Sequence, residues 1–227
     1  MKDIQLSHIS VSDIITVLTP TCNFRCRYCF FTPRNCHEYD AGRIADSVLK
    51  ISSEEGIDRV LIAGGEPTLQ RDLPELTEAL SRDLHVTIST NGTGWEILRK
   101  STFHEVHVDL KALDDEKHLQ LTGGSNRPVL ECIEKLAGSG KLEVSTVLVP
   151  GIVDVDEIEK IAEFLSEWDV PYRITGYVGY NNSLGARRPG NDEILRAAEI
   201  SRKYLSSVST SLDFRRHKRR RMVLDHI

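Results

Sequence analysis

Thr21-Cys22-Asn23-Phe24-Arg25-Cys26-Arg27-Tyr28-Cys29-Phe30, residues 21–30, gathers three of the chain's five cysteines into the spacing C-x3-C-x2-C. Three clustered thiols can hold three corners of a cubane iron–sulfur cluster and leave one iron without a protein ligand, open to a substrate or cofactor. A structural zinc site is the competing reading. Zinc usually draws on paired C-x2-C units or on Cys with His, closed at four ligands, and Cys36-His37 could complete such a set here. On spacing alone both remain open, as does plain packing of the thiols.

Around this stretch, apolar β-branched runs alternate with helix-periodic runs along the chain. The strands are expected at Ile14–Leu18, Arg59–Ala63, His85–Thr90, Glu105–Leu110, Leu142–Val149 and Tyr172–Val178. Amphipathic stretches separate and follow them: Ala41–Ser53, Asp72–Leu80, Trp95–Lys100, Val129–Ala137, Val155–Trp168 and Asn191–Val208. Ile158, Ile161, Ala162 and Leu165 fall on one stripe of the fifth, behind an acidic first turn of Asp154, Asp156 and Glu157 that suits the helix dipole. Strict β-α alternation argues for a parallel sheet with right-handed crossovers. Unusual residues recur just after successive strands, as they do at one end of a barrel. Six units are too few for the closed eight-fold form. The expected fold is therefore α/β, a partial (β/α)6 TIM-like barrel of parallel strands over residues 1–214, with 215–227 as a basic C-terminal tail. Gly179–Gly190, rich in Gly and Asn, is the loop expected to be most mobile.

The post-strand loops carry the chemistry. The three thiols follow the first strand. Ala63-Gly64-Gly65-Glu66-Pro67-Thr68 follows the second, where two glycines permit close backbone approach and Glu66 adds a carboxylate. Ser89-Thr90-Asn91-Gly92 ends the third, and Asn-Gly is by itself a strong turn signal. Asp109 and Lys111 end the fourth at i, i+2, so both side chains point to the same face, either as a salt-bridging pair or toward the barrel mouth. Cys132, beside Ile133 on an amphipathic stretch, reads as core, and Cys36 as unligated or substrate-facing.

Taken together in this order, the cysteine triad with Tyr28 before its last member, G-G-E-P and T-N-G resemble the radical S-adenosylmethionine (SAM) superfamily. Asp109-Leu110-Lys111 followed by His118, Leu121-Thr122-Gly123 and Asn126 further resembles the activating enzymes of glycyl radical proteins, such as the pyruvate formate-lyase activase. The resemblance covers roughly residues 14–178. It implies a [4Fe–4S] cluster on Cys22, Cys26 and Cys29, with SAM chelating the fourth iron. Gly64, Gly65 and Glu66 would hold the SAM ammonium. Thr90, Asn91, Asp109 and Lys111 would line its carboxylate and ribose, and backbone near Tyr28 would receive adenine. The implied reaction is reductive cleavage of SAM to a 5′-deoxyadenosyl radical for hydrogen abstraction, in the absence of oxygen. Implied partners are a reductant such as flavodoxin or ferredoxin and a glycyl radical protein. No further catalytic side chain is assigned. The chain departs from those activases at Leu18-Thr19-Pro20-Thr21 before the first cysteine, at Ser89, at Ser145 where an Arg is common, and at Tyr177 where a His contacts SAM. The alternatives are a radical SAM enzyme acting on a small molecule or nucleobase, similar to 7-carboxy-7-deazaguanine synthase, and a non-catalytic metal-binding module.

Composition bounds these readings. At 227 residues, with 40% hydrophobic and 28% charged residues, the chain can bury a full core without disulfide staples. No apolar run approaches a membrane span, and the N-terminus lacks a signal core, so a cytoplasmic, reducing location is expected. Net charge is −5, yet residues 215–221 carry six positive charges on an otherwise more acidic chain. Without aromatic interleaving that segment reads as solvated, and nucleic acid is not expected as a partner.

Overall fold

The computed structural model describes residues 3–34, 36–179, 184–213 and 220–222. In chain order the elements are β1 (Asp3–Leu6), β2 (His8–Val11), β3 (Ile15–Thr19), β4 (His37–Asp40), α1 (Ala41–Glu55), β5 (Arg59–Gly64), α2 (Leu73–Leu80), β6 (His85–Thr90) and α3 (Trp95–Leu98). They continue with β7 (Glu105–Asp109), α4 (Asp115–Thr122), α5 (Arg127–Leu136), β8 (Leu142–Leu148), α6 (Val155–Leu165), β9 (Tyr172–Gly176), α7 (Asn191–Ser201), β10 (Val208–Thr210) and β11 (Arg220–Met222). A short 3-10 turn, Pro67–Leu69, follows β5. The chain divides into two compact units, one of residues 1–23, 31–106 and 216–227, the other of residues 24–30 and 107–215.

The first unit is a sheet of order β11-β2-β3-β5-β6. Its centre is parallel, β3 with β5 and β5 with β6, while β2 and β11 add antiparallel strands at one edge. Ile15, Val17, Val60, Ile62, Val86 and Ile88, at i and i+2 in their strands and so on one face of each, are fully buried in it. α1 covers this sheet because Asp40 caps its start, accepting from the Gly42 amide, and Gly56 ends it in the left-handed region at φ 66°. Between the caps Ala41, Ile44, Ala45, Val48 and Ile51 form the buried stripe. Truncating one such Ile to Ala costs about 2–5 kcal/mol. A separate two-stranded pair, β1 antiparallel to β4, is in register from Asp3↔Asp40 to Leu6↔His37.

In the second unit β7, β8, β9 and β10 lie in that order, β8 and β9 parallel, β9 and β10 parallel. β8 alternates strictly: Leu142, Val144, Thr146 and Leu148 are buried, and Glu143, Ser145 and Val147 face the other way, half-buried. The stripe expected on residues 155–168 is present on α6, with Ile158, Ile161, Ala162 and Leu165 all buried. Cys132 is buried on α5.

All six strands expected from the sequence are present, as β3 and β5 to β9, with ends displaced by at most two residues. Five described strands were not expected. β1 and β2 are short and half polar, β4 is mostly exposed, β10 begins at the last residue of a stretch read as helix to Val208, and β11 falls in the segment read as a basic tail. α7 stops at Ser201. α4 also went unread, because its eight residues carry few apolar side chains; its signals are the caps, Asp114 accepting from Lys117 and Gly123 in the left-handed region. Of the basic segment, Arg220–Met222 pairs with β2 as a strand and residues 215–219 and 223–227 lie outside the described residues. So do residues 180–183 of the loop expected to be mobile. Among the described residues no helix is long and apolar enough to cross a membrane.

Candidate cluster and SAM site

In the first unit the loops after β3, β5 and β6 are joined by hydrogen bonds. Gly65 donates from its amide to the Thr19 carbonyl and Glu66 to the Thr21 carbonyl, each at 2.7 Å, which extends the β3–β5 ladder up to the residue before Cys22. This closeness is why two glycines stand here. A Cβ on Gly65 would lie 2.1 Å from the Thr21 carbonyl oxygen, and one on Gly64 2.5 Å from that of Thr19.

Glu66 is completely buried. Its Oε1 accepts from the Thr68 amide (3.0 Å), the Thr68 hydroxyl (2.5 Å) and the Thr90 hydroxyl (2.6 Å), and its Oε2 accepts from the Asn91 amide (2.6 Å). Burial pushes its carboxyl pKa up, and these four donors oppose that rise. The carboxylate therefore fastens the loop after β5 to the loop after β6. Asn91 continues the network, its Nδ2 reaching Asn23 Oδ1 at 2.8 Å and Cys22 Sγ at 3.9 Å. Cys22, Gly64, Gly65, Glu66, Thr90 and Asn91, six of the residues expected at the site, thus share one hydrogen-bonded assembly.

In the second unit the segment 24–30 rests on the end of α4. The Arg25 amide donates to the Thr122 carbonyl (2.7 Å), the Arg27 amide to that of Leu121 (2.9 Å), and Cys29 to Cys26 (3.1 Å). Phe24 meets His118 edge-on at 5.5 Å, and a Cβ on Gly124 would lie 2.5 Å from the Phe24 ring. His118 is fixed by Nδ1 against the Gly124 carbonyl at 2.8 Å; burial keeps its imidazole below the ordinary pKa, hence neutral. Asn126 donates to the carbonyls of Ala112 (3.3 Å) and Leu113 (2.6 Å), the residues that leave Lys111. Glu157, beyond its favourable place in the first turn of α6, accepts from the Leu113 and Asp114 amides and from Lys117, each at 2.9 Å. His118, Thr122 and Asn126 thus act as supports for the cysteine segment and for the exit of β7.

Asp109 and Lys111 form an ion pair at 2.8 Å, and Ser145 donates to the other Asp109 oxygen. Burial works against both charges. Their mutual attraction outweighs it, holding Asp109 below the usual carboxylate range and raising Lys111. Lys111 Nζ lies 5.8 Å from the centroid of the Tyr28 ring, which meets Tyr177 edge-on at 6.4 Å. The hydroxyls of Tyr28 and Tyr177 are buried without a hydrogen-bond partner. Each unsatisfied hydroxyl costs about 1–3 kcal/mol, which a polar ligand with acceptor atoms would relieve.

The same sheet face carries residues the sequence did not mark: His107 on β7, Glu143 on β8, and Arg173 and Thr175 on β9. With Asp109 and Ser145 they point away from the buried side. Arg173 pairs with Glu143 at 2.7 Å, and His107 Nε2 stands 3.7 Å from the same carboxylate. Among the described residues, Lys111 and Arg173 on this face are thus each matched by an anion, Asp109 and Glu143. Period-2 alternation in 142–148 was the available signal for Glu143.

Among the described residues no group of three His, Cys, Asp or Glu side chains is arranged to hold a metal ion. A single zinc needs its donors converging at about 2.0–2.3 Å, whereas a cubane gives each thiolate an iron of its own. Cys22, Cys26 and Cys29 are not joined in disulfides; Cys22 and Cys26 are partly buried and Cys29 is exposed, as is Cys36 just before β4. The donor chemistry of three thiols in C-x3-C-x2-C spacing fits a cluster, and the unsatisfied phenols beside Lys111 fit a polar cofactor.

A family model described as the Radical SAM superfamily matches residues 16–165. A protein of Methanocaldococcus jannaschii, itself assigned only provisionally as a glycyl-radical enzyme activating enzyme, is 52% identical over 226 residues, covering 96% of this chain and 89% of its own. A GTP 3′,8-cyclase of Helicobacter pylori is 32% identical over 177 residues, 72% of this chain and 55% of the cyclase. Among solved structures, Streptococcus suis SuiB bound to its precursor peptide SuiA superposes with a TM-score of 0.72 at 20% identity. That match covers 87% of this chain and 48% of SuiB, so the chain spans about half the length of that protein; at this identity the likeness shows the fold.

Proposed function

The chain belongs to the radical SAM superfamily, whose cofactors are a [4Fe–4S] cluster and SAM, and from this we propose that it abstracts hydrogen from a protein, as an activating enzyme of glycyl radical proteins. When bound, the cluster and SAM supply the carbon-centred radical that performs the abstraction. Cys22, Cys26 and Cys29 would hold the cluster, and a reductant such as flavodoxin or ferredoxin would feed it. Lys111, kept charged by Asp109, would meet the SAM carboxylate, and Tyr28 and Tyr177 would donate their unsatisfied hydroxyls to acceptor atoms of the same ligand. Ser145 fixes the Asp109 carboxylate so that the pair cannot rotate away.

The observation that carries the choice of substrate class is the charge balance on the face of β7, β8 and β9. Lys111 is matched by Asp109 and Arg173 by Glu143. A nucleoside triphosphate brings several negative charges and favours surplus Lys or Arg to meet them, and among the described residues of these strands Lys111 and Arg173 are each already paired. Neutral hydrogen-bonding groups, such as a peptide main chain, suit it. The relative at 52% identity supports the same reading.

The test is anaerobic reconstitution with iron and sulfide, addition of dithionite and SAM, and measurement of 5′-deoxyadenosine, followed by electron paramagnetic resonance of added glycyl radical enzymes. A glycyl radical signal in the added protein is the expected result. Turnover of GTP or another nucleotide with no such signal would transfer the chain to the small-molecule enzymes.

A further inference from the structure

The backbone amide of Asn91 and both ends of its side chain are hydrogen-bonded. Its Oδ1 accepts from the Thr93 amide (3.0 Å) and the Thr93 hydroxyl (2.7 Å), and its own amide donates to Glu66 at 2.6 Å. Two donors on Oδ1 settle which end of the side-chain amide is oxygen. The NH2 end is then committed to the opposite direction, where it meets Asn23 Oδ1 at 2.8 Å and Cys22 Sγ at 3.9 Å. Asn23 is held in turn by donating to the Thr93 hydroxyl at 2.9 Å. Asn91 is 8% exposed, so water competes little for these positions. The thiol this amide addresses, Cys22, is one of the three that the family reading assigns to the cluster.

We propose that Asn91 is a positioning residue that donates an N–H···S hydrogen bond to the Cys22 thiolate and thereby sets how readily the cluster accepts its electron. The inference rests on the cofactor reading above. Reduction adds one electron to the cluster and its sulfur ligands, so a donor on a ligand sulfur stabilises the reduced form more than the oxidised one. No bond is made or broken; the electron comes from the external reductant. The network through Glu66 gives the donor a fixed direction, which a solvated amide would lack.

The experiment compares full-length wild type, N91D and N91S, each reconstituted anaerobically with iron and sulfide. N91D keeps an oxygen for the Thr93 donors and replaces the N–H donor with a second acceptor; N91S is too short to reach Sγ and adds no charge. Iron content and melting temperature are measured first, then the cluster midpoint by dithionite titration read by electron paramagnetic resonance. The expected result is unchanged iron stoichiometry with a midpoint moved to more negative potential. At a fixed poise this is about a tenfold lower ratio of reduced to oxidised cluster in N91S, equivalent to about 59 mV, and more in N91D. A loaded N91S or N91D protein with the wild-type midpoint overturns the role of Asn91 and leaves the cofactor reading intact. If N91D fails to take up iron, N91S alone decides. A wild-type chain that forms no reducible cluster removes both.

Discussion

Changing Glu66 to Gln tests whether its carboxylate binds the loops after β5 and β6 as one piece. A carboxylate accepts on both oxygens; an amide accepts on one and donates from the other end. With the amide oxygen at the Oε1 position, the NH2 group faces the Asn91 amide, a donor at 2.6 Å from Oε2 in the native chain. Turned the other way, the NH2 group faces the Thr68 amide, 3.0 Å from Oε1. The Thr68 and Thr90 hydroxyls can rotate to accept, but a backbone N–H cannot. Either orientation therefore leaves one buried backbone donor without an acceptor, a loss of about 1–3 kcal/mol. For a chain of this size that lowers the melting temperature by roughly 2–12 °C. The assay is a thermal melt of wild type and E66Q without added iron, together with hydrogen exchange at the Thr68 and Asn91 amides. One of the two amides should lose protection beyond what the global change explains. If E66Q melts with wild type and both amides keep their protection, the clamp is not what holds these loops.

Gly65→Ala places a methyl 2.1 Å from the Thr21 carbonyl oxygen, a backbone atom with no rotamer to escape into; destabilisation of at least about 1–3 kcal/mol and reduced iron uptake on reconstitution should follow, read by denaturant melt and iron assay. Glu157 has a lowered carboxyl pKa, its amide and Lys117 partners outweighing burial. For a depressed acid the stabilisation is present above the unfolded value of about 4.5 and is lost as pH falls through the lower folded value. Wild type should accordingly lose more stability than E157Q between about pH 5 and pH 3, and parallel urea midpoints across that window would contradict this. Cys26→Ala should abolish cluster absorbance and 5′-deoxyadenosine formation, whereas Cys36→Ala should retain both; the reverse pattern would reassign the ligands.

Much of this was legible because strand exits are where the unusual residues stand. Gly64-Gly65-Glu66, Thr90-Asn91 and Asp109-Leu110-Lys111 all follow strands that the β-branched pattern locates to within two residues. What stayed hidden has physical reasons. β1 and β2 are four-residue strands whose alternation is too short to stand out from loop sequence. Helix α7 overran in the sequence reading because nothing between Ser201 and Val208 is a Gly or Pro to announce its end. Glu157 looked like a helix-dipole residue, and only tertiary structure brings the Leu113 and Asp114 amides to it. The same holds for Arg173 and Glu143, thirty positions apart and joined only once β8 and β9 align. Asn91 was marked as a turn or pocket residue; its reach to Cys22 depends on how Thr93 orients its amide.

The pairing of β1 with β4 gives the cysteine stretch a property that spacing alone does not. β3 holds the chain at Thr19, and β4 recaptures it at His37 against β1. Both ends of the intervening loop are therefore tethered by backbone ladders that do not run through the cysteines. Closing a loop of that length costs roughly 2.5 kcal/mol beyond a constant term, and here folding meets that cost. Iron and sulfide then enter a loop whose ends are already fixed. In a zinc finger, by contrast, metal binding and folding are a single transition. Loss of the cluster to oxygen should accordingly leave a folded chain that can be loaded again.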